Sequence, residues 1–437
     1  MTRTTRAERV HALLVEVDED HGCGDLPEAT CRQVPGNAMR LIVAQALQSI
    51  GDKVVDAKAV LPWVLTAVGA PAAFIGLLVP IRESGSLLPQ AALVPWIRRL
   101  PVRKWVWVAG GVGQALAAGA MALSAATLRG GAAGVAVLAA LAVFALSRAL
   151  SSIASKDVLG RTVPQGQRGQ INGLSTVVSG AVAVTLGLAI RGFGGSETNV
   201  AALVSLLGAA ALTWVAASLV FASVTEPAGS TDASLDVGWV RHAVELLRTD
   251  APFRHFVVVR TLLLVSALSP PFVVALGAAE TGVDFASLGP FVVASGLAGL
   301  VGGVVFGRLA DRSSDRLMVV GAAVASLVIV VLLAVRVVPS IAAAWWIYPA
   351  AYLLLALAHT GVRVARKTYI VDLATGNRRT DYVAVSNTAM GALLLVTGAL
   401  SSLLAAIAVE AALGFLAVMG FLGVVVGRRL PPVTPEP

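Results

Sequence analysis

About twelve long apolar segments, each of about 20 residues or more, restrict the folds open to this chain more than any other feature. A helix of about 20 residues crosses the roughly 30 Å of hydrocarbon in a bilayer. The segments are continuously apolar, whereas strands of a membrane barrel alternate over about ten residues. We therefore predict an all-α membrane protein with about 12 transmembrane helices. Their approximate cores are 39–60, 69–97, 104–127, 132–157, 170–191, 199–223, 253–276, 286–307, 317–337, 341–365, 382–408 and 411–427.

Basic residues cluster in alternate connections between these segments. The other side has little beyond Arg129, Arg191 and Arg336. Because positively charged short loops stay in the cytoplasm, both termini are predicted to be cytosolic and the protein to be a multi-pass protein of the cytoplasmic (inner) membrane. The net charge of +8 follows from this topology and from contact with anionic lipids, so no nucleic-acid partner is predicted.

The first 38 residues are charged, mixed in character and without an apolar core. They predict a cytosolic tail rather than a signal peptide. Both cysteines, Cys23 and Cys31, lie in this tail with His21 nearby. Two thiols and one histidine do not complete a tetrahedral metal site, so neither a metal nor another cofactor is predicted.

The chain repeats weakly at an offset of 211 residues. This shift places Lys156 on Lys367 and Arg168 on Arg379, and it keeps the predicted spans in register. The repeat indicates two pseudo-symmetric six-helix bundles. The predicted domains are a cytosolic tail (1–38), an N-terminal bundle (39–223), a cytosolic linker (224–252), a C-terminal bundle (253–429) and a short cytosolic tail (430–437).

The stretch "GRLADRSSDR" between spans eight and nine resembles the G-x-x-x-D-R-x-G-R-K signature of the major facilitator superfamily. The matching residues are Gly307, Asp311, Arg312 and Arg316, and in the first half Arg103 and Lys104 fit the basic end of the motif. The resemblance covers about residues 38 to 429. It implies the fold of that family, transport by alternating access, and a cytoplasmic gate built on these loops.

Charged and amide side chains within the first two spans are the strongest candidates for a functional site. A charge in mid-membrane costs on the order of 3 kcal/mol and normally faces a cavity or a partner. Span one carries Gln45, Gln48, Asp52 and Asp56 on one side of a helix, and span two carries Arg82, Glu83 and Gln90. Asp52 or Asp56 is predicted to pair with Arg82, or Glu83 with a lysine.

Later spans add further candidates for the cavity. Arg148 and Ser152 lie in span four, and the repeat places His359 and Arg363 at the equivalent positions of span ten. Arg260 in span seven is close enough to a membrane face to snorkel. The functional interpretation is a central cavity in which Glu83 or a span-one acid takes up a proton and an arginine pairs or releases. A static ion pair that joins the spans is the alternative interpretation.

The sequence contains no Walker loop, H-E-x-x-H or paired C-x-x-C motif, so no enzymatic activity is predicted. The prediction is a monomeric, proton-coupled permease for a small polar or anionic organic solute, whose partners are the solute, protons and the lipid bilayer. Two alternatives stay open. One is multidrug-type efflux of amphipathic compounds, and the other is a non-transporting membrane sensor or assembly component that uses the N-terminal tail and the linker.

Overall fold

The computed structural model of the chain describes residues 28–90, 93, 96–97, 99–193, 200–228, 231, 239–281, 284–338, 344–373 and 378–431. Every regular element in these ranges is a helix, as the continuously apolar segments predict. In nine places the described chain holds a helical segment that is long and apolar enough to cross a bilayer. A shorter apolar stretch, Val177–Gly192, adds to them.

The N-terminal half begins with a single helical turn, Glu28–Cys31, and continues through seven helices. They are α1 (Val34–Val54), α2 (Val60–Ala67), α3 (Ala72–Leu87), α4 (Lys104–Thr127), α5 (Gly130–Thr162), α6 (Gln165–Phe193) and α7 (Val200–Ala222). The first crossing is divided between α1 and α2. The predicted core 39–60 therefore stops short, because α2 carries the same crossing on to Ala67 before Gly69, at a positive φ of 74°, turns the chain into α3.

The C-terminal half follows the connecting helix α8 (Trp239–Thr249). Its helices are α9 (Ala251–Leu262), the single turn Val265–Leu268, α10 (Pro270–Thr281), α11 (Phe285–Arg312), α12 (Ser314–Val335), α13 (Ile347–Leu373), α14 (Arg378–Ile407) and α15 (Val409–Gly427). Asp250 caps the N-terminus of α9, and its carboxylate accepts the backbone N–H of Phe253 at 2.9 Å. Span seven is thus broken into three pieces, and the break around Leu268 lies 211 residues after the break around Ala57 in span one.

The apolar core divides toward one end of the bundle. One buried cluster contains residues of both halves, such as Trp63 and Leu141 with Phe272 and Leu413. At the end where α4 and α12 begin, two separate clusters replace it. Leu41, Trp107 and Phe221 belong to the N-terminal one, and Phe253, Met318 and Tyr369 to the C-terminal one. We call this the basic end, because Arg103, Arg161, Arg316 and Arg428 lie there, and the other the closed end.

The two halves contact each other through α3 against α14 and α6 against α11. Small residues allow these pairs to approach closely. A Cβ atom placed on Gly187 of α6 would lie 2.6 Å from the backbone N of Val293 in α11. Between α3 and α14, the Ser84 hydroxyl donates to the carbonyl of Gly391 at 2.7 Å. Polar backbone contacts of this kind join helices where no hydrophobic driving force acts between them.

Candidate functional site

A cavity of about 260 Å³ lies between the two halves. It is lined by α1, α3 and the α1–α2 break on one side, and by α10, α11 and α13 on the other. Its charged lining residues are Asp52, Lys53, Asp56, Lys58, Arg82, Glu83 and Arg363, with His359 beside them. This volume is at the small end for a ligand pocket, and its charged lining is unlike the apolar lining of sites for drug-sized molecules.

The helix break between α1 and α2 brings charged groups into this cavity. The backbone N–H of Lys58 donates to Oδ1 of Asp56 at 2.7 Å, which replaces the helical hydrogen bond that the break removes. Both side chains then line the cavity. The broken span seven supplies Pro270 to the opposite wall. Irregular backbone at membrane depth is tolerated where it lines a cavity in this way.

Asp52 joins three spans of the N-terminal half. Its Oδ1 accepts from Nη2 of Arg82 at 2.9 Å, and its Oδ2 lies 2.7 Å from Nη1 of Arg148. The second contact is an ion pair, because Nη1 of Arg148 has no hydrogen-bond partner among the described residues. The Arg82 guanidinium also lies over the Phe144 ring, 4.6 Å from its centroid. The predicted pairing of Asp52 with Arg82 is confirmed, and Arg148 is an additional partner.

Glu83, next to Arg82, is exposed to the cavity. In the described residues it forms no ion pair within 4 Å, although its charge interacts electrostatically with Lys58 and with Arg366 of the other half. Ser86 donates to the Glu83 carbonyl at 2.8 Å, and Gln90 donates to the Ser86 carbonyl at 2.7 Å. The side chains of Ser86 and Gln90 are therefore bonded to nearby backbone carbonyls and not to the Glu83 carboxylate.

One polar contact crosses the cavity from half to half. The Nζ atom of Lys53 donates to the Ser295 hydroxyl of α11 at 3.4 Å. Ser295 lines the cavity together with the buried Tyr352 of α13. The Lys53 contact connects a cation of span one with the C-terminal half.

The C-terminal wall is basic. His359 lies with its Nδ1 atom 3.4 Å from the Ser266 hydroxyl, and Arg363 is exposed. A small recess beside the cavity is lined by His359, Arg363, Arg366 and Arg260. Arg260, a predicted cavity candidate, lies in this recess and does not extend to a membrane face. It is 7% exposed and donates to the Ser386 hydroxyl at 2.8 Å and to Oδ1 of Asn387 at 3.0 Å.

The structure places the remaining predicted site residues outside the cavity. Gln45 and Gln48 are each 8% exposed and packed within the bundle, and neither lines the cavity. Sequence reasoning left out Ser295 and Tyr352, and it considered Lys53 and Lys58 only as partners for the acids, yet all four line the cavity. The two lysines could have been selected by the same argument as Asp52, because they are charges within an apolar segment. Ser295 and Tyr352 carry no such signal.

The motif "GRLADR" was predicted to be a loop, and this is wrong. Helix α11 continues through Arg312, and Ser313 alone separates it from α12, where Ser313 donates to Asp315 at 2.9 Å. A helix is possible because no glycine or proline follows Gly307 before the serine pair. The side chain of Asp311 lies outside the described part of the chain, Arg312 is exposed, and Arg316 has a partner of its own.

The first-half counterpart of this motif obtains its acids from distant positions. Nη1 of Arg103 lies 2.6 Å from Oδ2 of Asp157 in α5. Oε2 of Glu226, after α7, accepts the backbone N–H groups of Arg103 and Lys104 at 2.9 and 2.7 Å and so caps α4. Arg161 lies 3.5 Å from its other oxygen. These contacts join α4, α5 and the end of α7 within one half.

Cys31 is bonded in a disulfide. The other cysteine of the sequence, Cys23, lies outside the described residues.

Comparison with known proteins identifies the fold. A family model described as Major Facilitator Superfamily matches residues 261–437. The solved D-xylose-proton symporter is similar over 92% of this chain and 98% of its own, with a TM-score of 0.67 and 12% identity. The nucleoside transporter NupG is similar over 90% and 99%, with a TM-score of 0.69 and 9% identity.

A third similar structure is a bacterial homologue of the iron transporter ferroportin in an inward-facing state. The likeness covers 90% of this chain and 98% of that one, with a TM-score of 0.68 and 16% identity. No curated protein matches the chain. The chain is therefore a multi-pass membrane protein with the fold of the major facilitator superfamily, and its residues 261–437 carry that family's sequence pattern.

Proposed function

We propose that this protein is a secondary active transporter that moves a small anionic organic solute through the central cavity by alternating access. The observation that carries the proposal is the cavity between the two halves. The halves share one apolar core at the closed end and have separate cores at the basic end. Rocking of two rigid halves about such a site exposes it to each side in turn. We propose the same halves as the sequence predicts, 39–223 and 253–429.

The charge of the cavity favours an anion. Its lining contains four basic residues against three acidic ones, and Arg260 and Arg366 lie in the adjoining recess. Similar structures include transporters of a sugar, a nucleoside and a metal. A metal cation fits this site poorly, because an excess of positive charge repels it. Amphipathic drugs also fit poorly, because their apolar parts would lie against the charged side chains that line the cavity.

Glu83 is the proposed site of proton coupling. Asp52 is held by two arginines and acts as a structural link between spans, whereas Glu83 faces the cavity and interacts with a cation of each half, Lys58 and Arg366. A carboxylate that gains or loses cationic neighbours as the halves move changes its affinity for a proton. Glu83 thereby links protonation to the position of the halves.

Orientation follows from the positive-inside rule. We propose that the basic end faces the cytoplasm, so that the described conformation is open to the inside, and that both termini are cytosolic. The protein would act as a monomer in the cytoplasmic membrane, with the solute and protons as its partners.

The test compares the metabolites inside and outside cells that express the wild type, Glu83→Gln, Glu245→Gln or an empty vector, at two external pH values. Glu245 is an exposed carboxylate on α8, outside the cavity, and provides the matched control. We expect a small anion to redistribute with the wild type and the control, with a pH dependence that Glu83→Gln removes. If all four samples are indistinguishable across a broad panel, the transport proposal is wrong and a sensor or scaffold becomes the better interpretation.

A further inference from the structure

Among the described residues, the C-terminal wall of the cavity carries an excess of positive charge. Arg363, Arg366 and Arg260 lie together around the recess beside His359. The charge of Arg366 acts on both of the other arginines. Among the described residues that line the cavity and the recess, the C-terminal half contributes no carboxylate. These guanidinium groups therefore repel one another without an acid on their own wall.

The carboxylates of the opposite wall do not neutralise this cluster. Asp52 is engaged by Arg82 and Arg148, and Asp56 accepts the backbone N–H of Lys58. Glu83 is the one carboxylate of the described cavity lining whose charge acts on Arg366, and it also acts on Lys58. One acid thus faces several cations. The imbalance between the walls leaves room for negative charge brought in by a ligand.

Arg260 shows that the cluster is built into the fold. Its guanidinium is held by the neutral groups of Ser386 and Asn387, while its Nε atom is buried without a hydrogen-bond partner. A buried charge held by neutral groups alone is unfavourable. The recess itself holds only about 10 Å³, so the missing negative charge would come from an anion in the cavity beside Arg363, which lines both the cavity and the recess.

We propose, on the basis of the proposed transport function, that Arg363 and Arg366 form the specificity-determining subsite and bind a compact, doubly negative group of the solute. A guanidinium presents two parallel N–H donors that match the oxygens of a carboxylate or a phosphoryl group. A single carboxylate would leave most of the positive charge of the three arginines uncompensated. A phosphoryl group, with a charge of about −1.5 to −2 at neutral pH, or a dicarboxylate compensates more of it.

The experiment measures equilibrium binding of inorganic phosphate, succinate and acetate to the purified full chain in lipid nanodiscs, by calorimetry at neutral pH and constant ionic strength. The variants are Arg363→Gln, Arg366→Gln and Arg363→Lys. Arg429→Gln, an exposed arginine after α15, is the matched control. Thermal unfolding of each variant establishes that it is folded. Phosphate and succinate distinguish the two chemical forms of a double negative charge.

We expect a dianion to bind about tenfold more tightly than acetate, and each glutamine variant to weaken dianion binding by about tenfold or more. The dianion affinity of Arg363→Lys should lie between those of the wild type and Arg363→Gln, because lysine keeps the charge but lacks the two parallel N–H donors of a guanidinium. Arg429→Gln should bind as the wild type does. Acetate binding equal to that of both dianions would overturn the proposal, and so would unchanged dianion binding in both glutamine variants.

Transport and binding results separate the two proposals. If cells redistribute a solute while both dianions bind independently of Arg363 and Arg366, the subsite assignment is wrong and the transport proposal stands. If the dianions bind at these arginines but no solute moves in any assay, the subsite stands and transport is wrong.

Discussion

Asp52 and Arg148 approach to 2.7 Å across two spans, while the same carboxylate accepts a hydrogen bond from Arg82 in a third. One carboxylate thus holds two guanidinium groups inside the N-terminal half. The exposed fractions of the three side chains are 19% for Asp52, 29% for Arg148 and 15% for Arg82. The contact is sheltered enough to matter for stability, but water reaches it from the cavity.

Asp52→Asn should destabilise the protein, because it leaves both arginines without their carboxylate. Removing one member of a fully buried pair costs about 3–5 kcal/mol, and partial exposure should reduce the loss here to about 1–3 kcal/mol. Denaturant unfolding of the purified protein measures this. Glu28→Gln is the control, since Glu28 and Arg32 form an exposed pair whose loss should change stability by less than about 1 kcal/mol. Equal stabilities of the two variants would contradict the prediction.

Glu226→Gln tests whether the buried carboxylate after α7 stabilises the start of α4. Its Oε2 accepts two backbone N–H groups, and a carboxylate at a helix N-terminus is favoured by the helix dipole. We expect a loss of about 1–2 kcal/mol, as for the removal of an N-cap. Thermal unfolding measures this loss, and Glu226→Asp should recover little of it because the shorter side chain does not reach. An unchanged melting temperature in Glu226→Gln would show that water replaces the cap.

The sequence predicts the helices better than it predicts how they meet. Long apolar segments identify the crossings. The charges of Asp52 and Arg82 inside them were enough to predict that these two residues pair. That Arg148 shares Asp52 depends on the packing of α5 against α3, which no local pattern encodes. The same holds for Glu226, which reaches Arg103 over 123 positions of chain.

Local backbone changes were equally difficult to predict. The break between α1 and α2 falls at Val55–Ala59, where neither glycine nor proline occurs. Here the side chain of Asp56 replaces a helical hydrogen bond, so the signal is a local polar contact rather than a helix-breaking residue. Conversely, the charges of "GRLADR" and the serine pair after it suggested a loop, yet intact helical hydrogen bonding carries α11 through Arg312.

Gly398→Ala should separate α3 from α14. A Cβ atom on Gly398 would overlap the ring of Pro80, and a rigid ring cannot move aside as a flexible side chain would. Overpacking of this kind typically costs about 1–3 kcal/mol. Gly208→Ala in α7 is the control, because nothing lies within 4 Å of its added methyl group and alanine favours the helix. Thermal unfolding should show a fall for Gly398→Ala and no fall for the control, and the reverse order would refute the close contact.

The closed end should open more easily when Arg191 is replaced. The Arg191 guanidinium of α6 lies 5.3 Å from the centroid of the Trp345 ring, which precedes α13, so this cation–π contact joins the two halves where their apolar core is shared. An exposed contact of this type contributes about 0.5–1 kcal/mol, which corresponds to a two- to fivefold change in the ratio of open to closed conformations.

Spin labels at Gly131 and Val337, both exposed and on opposite halves at this end, report that ratio as a distance distribution after both cysteines are replaced by serine. Arg191→Gln and Trp345→Leu should each increase the long-distance population, and the double variant should add little, because either change alone removes the contact. Arg129→Gln is the control. Arg129 lies at the same end, and among the described contacts it bonds only to carbonyls of its own turn. Its replacement should leave the distance distribution as in the wild type. Additive effects of the two single variants would mean that Arg191 and Trp345 act on the closed end independently.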